Sequence, residues 1–294
     1  MNTGIFYSIV ASVLFSLLPA YLQLLPPIHS YAVIGQRIIW TSIVITVLLL
    51  VTRQLKASLL PLSKLKNWPG LIAGALLIGS MWGIFVWAPL NGETLSLALG
   101  FFLAPLFLVL VGLIGFKDRL SPLQWSATAL ATLGVICNVW NTGQFSLSAL
   151  AIALGYSCYF VLRRLQPIPV LTAFYIENLL LLPFAIWACI VYGEVSHPFS
   201  YDVSVLLLFF GLALLGSMGM LCFLAASKRL PMTLFGLLGY LEPLFIFLVA
   251  LAVIGDEIRP GEGLTYVFIC LAIVLLILDG IEHLVKSSNA SLSK

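Results

Sequence analysis

Three charged residues stand where charge is costly. Arg37, Glu177 and Glu242 each fall inside a long apolar stretch, and an ionised side chain at the centre of a membrane-spanning helix costs about 2.5–3.5 kcal/mol on insertion scales. Each reads in one of two ways. Either a local polar partner or snorkelling to an interface satisfies it, or it serves as a gate or as a docking charge for a carboxylate or amine. Glu242 precedes Pro243, whose ring removes a backbone donor and frees a carbonyl one turn earlier. Irregular backbone at membrane depth is tolerated where it lines a cavity, so Glu242 is a candidate to carry a coupling proton. The plain alternative is a structural hydrogen bond to a neighbouring helix. Trp82, Tyr156, Tyr159 and Tyr240 also lie mid-segment, where aromatics either pack or line a pocket for an amphipathic or aromatic solute. Trp68, Tyr192 and Tyr201 stand at segment ends and read as interface anchors.

Other chemistry finds no support in the chain. His29, His197 and His283 are dispersed, and Cys137, Cys158, Cys189, Cys222 and Cys270 show no metal-ligand spacing, so these thiols read as small buried hydrophobes. P-loop, GxSxG and HExxH motifs are absent from the sequence, and no catalysis, metal or cofactor is expected. A formal net charge of +3 is too small and scattered for nucleic-acid binding. Two rival readings are an intramembrane enzyme and a non-transporting scaffold subunit. The first needs paired Asp, Ser/Lys or His groups at membrane depth, which the sequence does not offer.

The elements that position these residues follow from composition. Of 294 residues 62% are hydrophobic and 9% charged, against roughly 25% charged in soluble domains. The solvent must therefore be lipid. Cutting the chain at charges, Pro/Gly clusters and polar runs predicts ten helices of roughly the 20 residues needed to span a bilayer. They run about 4–25, 31–52, 69–90, 95–116, 122–141, 146–163, 170–192, 203–227, 233–255 and 262–281. A β-barrel is excluded because the segments are continuously apolar rather than alternating. The first lacks a basic leader and a cleavage site, so it reads as a retained helix. With both termini cytoplasmic, 12 of the 14 Lys and Arg residues fall on the inner side, as the positive-inside rule asks. Only Arg259, in an outer loop, and Arg37 do not.

Two halves of this chain resemble each other. Leu103-Ala104-Pro105-Leu106-Phe107 matches Leu241-Glu242-Pro243-Leu244-Phe245 at an offset of 138 residues, and the same offset pairs Asp118 with Asp256 and Pro122 with Pro260. With five helices per half, the second must enter the membrane upside down. The expected fold class is an all-α integral membrane protein of two inverted five-helix repeats, residues 1–141 and 146–282, followed by a cytoplasmic tail, 283–294. Carriers built this way place the substrate near the midplane between the repeats.

Tyr240-Leu241-Glu242-Pro243-Leu244-Phe245 with Gly255-Asp256-Glu257, and Phe116-Lys117-Asp118-Arg119-Leu120 in the first half, resemble the end-of-repeat signature of EamA proteins in the drug/metabolite transporter superfamily. Within it, Gln36-Arg37-Ile38-Ile39-Trp40, Phe85-Val86-Trp87-Ala88, Glu177-Asn178 with Leu179 to Pro183, and Lys228-Arg229-Leu230-Pro231 resemble the RarD-type permeases. Met81 replaces an expected Asn, and Glu242 follows the general EamA pattern. The resemblance implies a multi-pass inner-membrane permease, monomeric or homodimeric. The resemblance supplies no substrate; from the residues themselves the expected partners are the lipid bilayer, a small amphipathic substrate such as an amino acid or drug-like compound, and a proton as candidate coupling ion.

Overall fold

The computed structural model describes residues 2–90, 94–142, 147–193, 197–249 and 262–292. Among the described residues, each predicted segment is mostly helical. In chain order the elements are α1 (Asn2–Ser16), α2 (Leu18–Leu22), α3 (Ser30–Val51), α4 (Leu55–Leu59), α5 (Trp68–Leu90), α6 (Thr94–Gly115) and α7 (Pro122–Thr142). They continue as α8 (Leu147–Leu165), α9 (Val170–Gly193), α10 (Val203–Arg229), α11 (Met232–Leu238), α12 (Leu241–Val249) and α13 (Glu262–Leu292). Among the described residues, five stretches are long and apolar enough to cross a membrane: 3–22, 30–51, 170–193, 203–229 and 263–280. Gly100–Gly115 and Met232–Ile246 are shorter apolar helices. Asp256, Arg259, Pro260 and Lys294 lie outside the described residues.

The distribution of polarity is that of a bundle in lipid. Trp140, Val51 and Ile114 are 85%, 76% and 72% exposed, whereas Ser8, Gln36, Glu177 and Asn178 are fully buried. In lipid the polar groups gain nothing at the surface, so they turn to one another inside. Cys189 is buried as expected, but Cys158 and Cys270 face outward, where a thiol in an apolar medium loses little.

Helix pairing is reciprocal. Helix α3 packs on α9, α7 on α13 and α6 on α11; α1 packs on α10, and α5 on α8. Further contacts join α6 with α8, α1 with α12, α10 with α3 and α5 with α9. Close approach requires glycine at one of these crossings. A Cβ on Gly236 would stand 2.7 Å from the Pro105 carbonyl oxygen and 2.8 Å from Leu108 Cβ, so α11 can meet α6 only with a hydrogen there.

The predicted ninth span is divided. Pro243 has no N–H to give the Gly239 carbonyl, which accepts the Glu242 N–H at 3.3 Å instead. Tyr240 N–H likewise bonds Leu237 O at 3.2 Å. These three-residue bonds end α11 and restart the chain as α12, with Pro243 in the first turn where its missing donor does no harm. Glu242 therefore sits at a helix start within the bundle.

Candidate functional site

The seven residues singled out in the sequence separate into two groups and one outlier. Arg37 on α3 holds its guanidinium carbon 4.8 Å from the centroid of the Trp82 ring on α5. Gly216 of α10 makes room for it, since a Cβ there would stand 2.8 Å from Arg37 Nε. Tyr156 on α8 contacts the Phe101 ring on α6 at a centroid distance of 5.6 Å, and its phenol is within electrostatic reach of both Arg37 and Glu242. Trp82 is 7% exposed, while Arg37, Tyr156 and Glu242 each keep part of their surface open. Among the described residues, neither Arg37 nor Glu242 has a hydrogen-bond or ion-pair partner for its charge. Arg37 of α3 thus lies against Trp82 of α5, and Tyr156 of α8 lies within electrostatic reach of Arg37 and of Glu242 at the start of α12.

Glu177 belongs elsewhere. Its Oε1 lies 3.2 Å from Arg163 Nε, the two side chains being 0% and 2% exposed. The Tyr159 hydroxyl donates to Glu177 Oε2 at 2.8 Å, and Arg163 Nη2 donates to the Gly70 carbonyl at 2.7 Å. Gly74 completes the arrangement, because a Cβ there would stand 2.8 Å from Arg163 Nη2 and collide with Glu177. The Gly70-xxx-Gly74 spacing thus admits an ion pair from α8 and α9 against the backbone of α5. A buried pair needs this many partners, since removing two charges from water is costly. The alternation of helices expects Arg37 and Glu177 at different depths, and the structure gives them different partners.

The positive-inside count places Arg163 at the inner end of the 146–163 segment, and the structure buries it within α8. The signal was present: Tyr156, Tyr159 and Arg163 recur at helical spacing and share one face. Its neighbour Arg164 points across the bundle, donating to the carbonyls of Ser227 and Leu230 at 2.8 and 2.6 Å and lying 4.8 Å from the Phe116 ring. Asp118 Oδ2 accepts the Thr233 N–H at 3.0 Å and its hydroxyl at 3.2 Å, capping α11 from the other half of the chain. The basic end of the bundle is therefore tied together by polar bonds between halves.

Tyr240 stands apart from both groups. It is 1% exposed, and its hydroxyl donates to the Phe102 carbonyl at 3.0 Å, joining the α11–α12 break to α6.

No family model matches the chain. Chloramphenicol-sensitive protein RarD of Pseudomonas aeruginosa is 40% identical over 290 residues, covering 97% of this chain and 97% of that one. An uncharacterized transporter of Haemophilus influenzae is 32% identical over 289 residues, covering 96% of this chain and 95% of its own. A solved crystal structure shares the fold with a TM-score of 0.71 at 17% identity, covering 95% of this chain and 97% of that one.

Proposed function

The chain belongs to the RarD family of membrane transporters, and we propose that it is a secondary permease moving small amphipathic metabolites, amino acids or drug-like compounds, by alternating access. The observation that carries this reading is the pair of opposite charges without a partner among the described residues, Arg37 against the Trp82 ring and Glu242 within electrostatic reach of Tyr156. A guanidinium held over an indole can still offer two parallel donors to a carboxylate. Glu242, at a helix break, would take an ammonium group or the coupling proton, and the two rings would bear on the apolar part of the solute. Arg163, Glu177 and Tyr159 act in this reading as a tie between α5, α8 and α9, and Tyr240 as a support of the break.

The reciprocal helix pairing favours two inverted five-helix repeats of EamA type. Exchanging each span for the one five further on turns the α1–α10 pair into α8–α5, and α10–α3 into α5–α9, all of which are present. In this plan both termini and the basic end of the bundle are cytoplasmic, and the membrane is the cytoplasmic one. The site lies between the repeats, where alternating-access carriers hold their substrates.

Counterflow in proteoliposomes tests the proposal. Vesicles preloaded with an unlabelled amino acid or related amphipathic metabolite should accumulate its labelled counterpart, and Arg37→Ala or Glu242→Gln should abolish that accumulation. Accumulation that survives both substitutions would remove these residues from the site. No accumulation across the panel, with inserted and folded protein, would count against this substrate class.

A further inference from the structure

A cleft opens at the basic end of the bundle, and neither Arg37 nor Glu242 lines it. It measures about 560 Å³, within the roughly 300–1,000 Å³ of ligand pockets. Its walls come from α1, α3, α9 and α10. Leu48, Leu171 and Leu221 make the apolar side, and Tyr7, Lys228 and Arg229 the polar rim. The wall opens to the surroundings, as Leu48 is 44% exposed. The cleft thus faces acyl chains along its length and carries two adjacent cations where α10 ends.

The cations are positioned rather than neutralised. Lys228 Nζ donates to the carbonyls of Gln166 and Ile168 at 3.1 and 2.7 Å, which pins it at the α8–α9 corner. Arg229 Nη1 donates to the Ala225 carbonyl at 3.0 Å, and its guanidinium carbon lies 5.0 Å from the Tyr7 ring centroid. Among the described residues neither has a carboxylate within salt-bridge distance. Two uncompensated cations beside a phenol, above an apolar slot open to lipid, match one chemistry: a phosphate with a negative net headgroup and an attached acyl chain.

We propose that this cleft binds an anionic phospholipid, with its phosphate on Arg229 and Lys228 and one acyl chain along Leu48, Leu171 and Leu221. The bound lipid would then bridge α1 and α10 to α3 and α9, which belong to different helix pairs of the bundle.

The test is native mass spectrometry of the purified full chain with added phosphatidylglycerol or phosphatidylethanolamine. Phosphatidylglycerol should be retained in preference. Arg229 is exposed, so Arg229→Gln leaves the fold intact and should weaken that retention roughly 5-fold, the effect of one cation near an anionic headgroup. Ala225→Trp keeps both charges, fills the slot and should also lose the lipid. Lys64→Gln with Lys66→Gln, exposed cations of the α4–α5 connection, should change nothing. Equal retention of the two lipids would overturn the proposal, as would an effect of the Lys64/Lys66 variant equal to that of Arg229→Gln. Full retention in Ala225→Trp would also overturn it, since the lipid would then lie outside the cleft.

Discussion

The Tyr240 hydroxyl reaches the Phe102 carbonyl, 138 residues away, at 3.0 Å, and 138 is also the offset that aligns Pro105 with Pro243. A residue that touches its own counterpart stands at the axis relating two halves, so this bond supports the reading of an inverted repeat folded about the α6–α11 crossing. Removing only the hydroxyl, in Tyr240→Phe, should cost about 0.5–1.5 kcal/mol, the net worth of one hydrogen bond. Thermal unfolding in detergent would show a modest shift. Counterflow activity should persist, because Tyr240 holds α6 and leaves the solute to other residues. Abolished counterflow in a stably folded Tyr240→Phe protein would place this phenol in the site.

Arg163 and Glu177 should behave as one unit. Either Arg163→Met or Glu177→Leu alone strands a buried charge and is expected to destabilise by about 3–5 kcal/mol. The double variant removes both charges and should be closer to the parent than the sum of the singles. Unfolding midpoints of the three variants measure the coupling. Strict additivity would mean that the 3.2 Å pair contributes no mutual stabilisation.

Much of this fold was legible because a bilayer imposes length and hydropathy on every span. The segments from 31–52 to 203–227 match α3 and α5 through α10 within a few residues. The proposed repeat rests on prolines, since Pro105 and Pro243 stand 138 residues apart in matching phrases. What local pattern could not reveal was partnership. Arg163 stands beside Arg164 in the chain, yet one faces Glu177 and the other faces Ser227 and Leu230. Helical geometry turns neighbouring residues about 100° apart, and only the packing of α5 and α10 decides what each meets. The division of the ninth span was half visible. Pro243 announced a weakened bond, but the break at Gly239–Tyr240, three to four residues earlier, depends on the Gly239 carbonyl finding the Glu242 N–H.

Glu242→Gln should abolish uptake driven by a pH gradient, together with the counterflow. The amide preserves size and can still hydrogen-bond, so folding should be unchanged, while the group can no longer gain and lose a proton. Uptake driven by an imposed pH gradient is expected to fall to the level seen without a gradient. A Glu242→Gln protein whose flux still responds to the gradient would assign proton coupling to another group.

Gly236 and Gly83 offer a matched pair of substitutions to alanine. A Cβ at Gly236 meets the Pro105 carbonyl at 2.7 Å, whereas nothing lies within 4 Å of one at Gly83. Gly236→Ala should push α11 off α6 and destabilise by about 1–3 kcal/mol, as overpacking does. Gly83→Ala should be neutral or slightly stabilising, since alanine favours a helix over glycine by roughly 1 kcal/mol. Unfolding midpoints should therefore move in opposite directions.

In the proposed site Trp82 acts through Arg37. The indole face lies 4.8 Å from the guanidinium carbon, and a desolvated cation–π contact is worth about 0.5–2 kcal/mol. Losing it frees Arg37 to turn from its aim without removing its charge. Trp82→Ala should raise the KM of a carboxylate-bearing substrate by roughly 2- to 30-fold, the same energies expressed as affinity, and Trp82→Phe by less. Arg37→Lys keeps the charge but loses the flat fork that stacks on indole. Once Arg37 is lysine, truncating Trp82 has less left to remove, so the double variant should fall short of the summed single effects. Full additivity in KM would mean that Trp82 meets the solute directly. The indole would then be a wall of the pocket, and Arg37 would be oriented by Gly216 and the backbone of α10 alone.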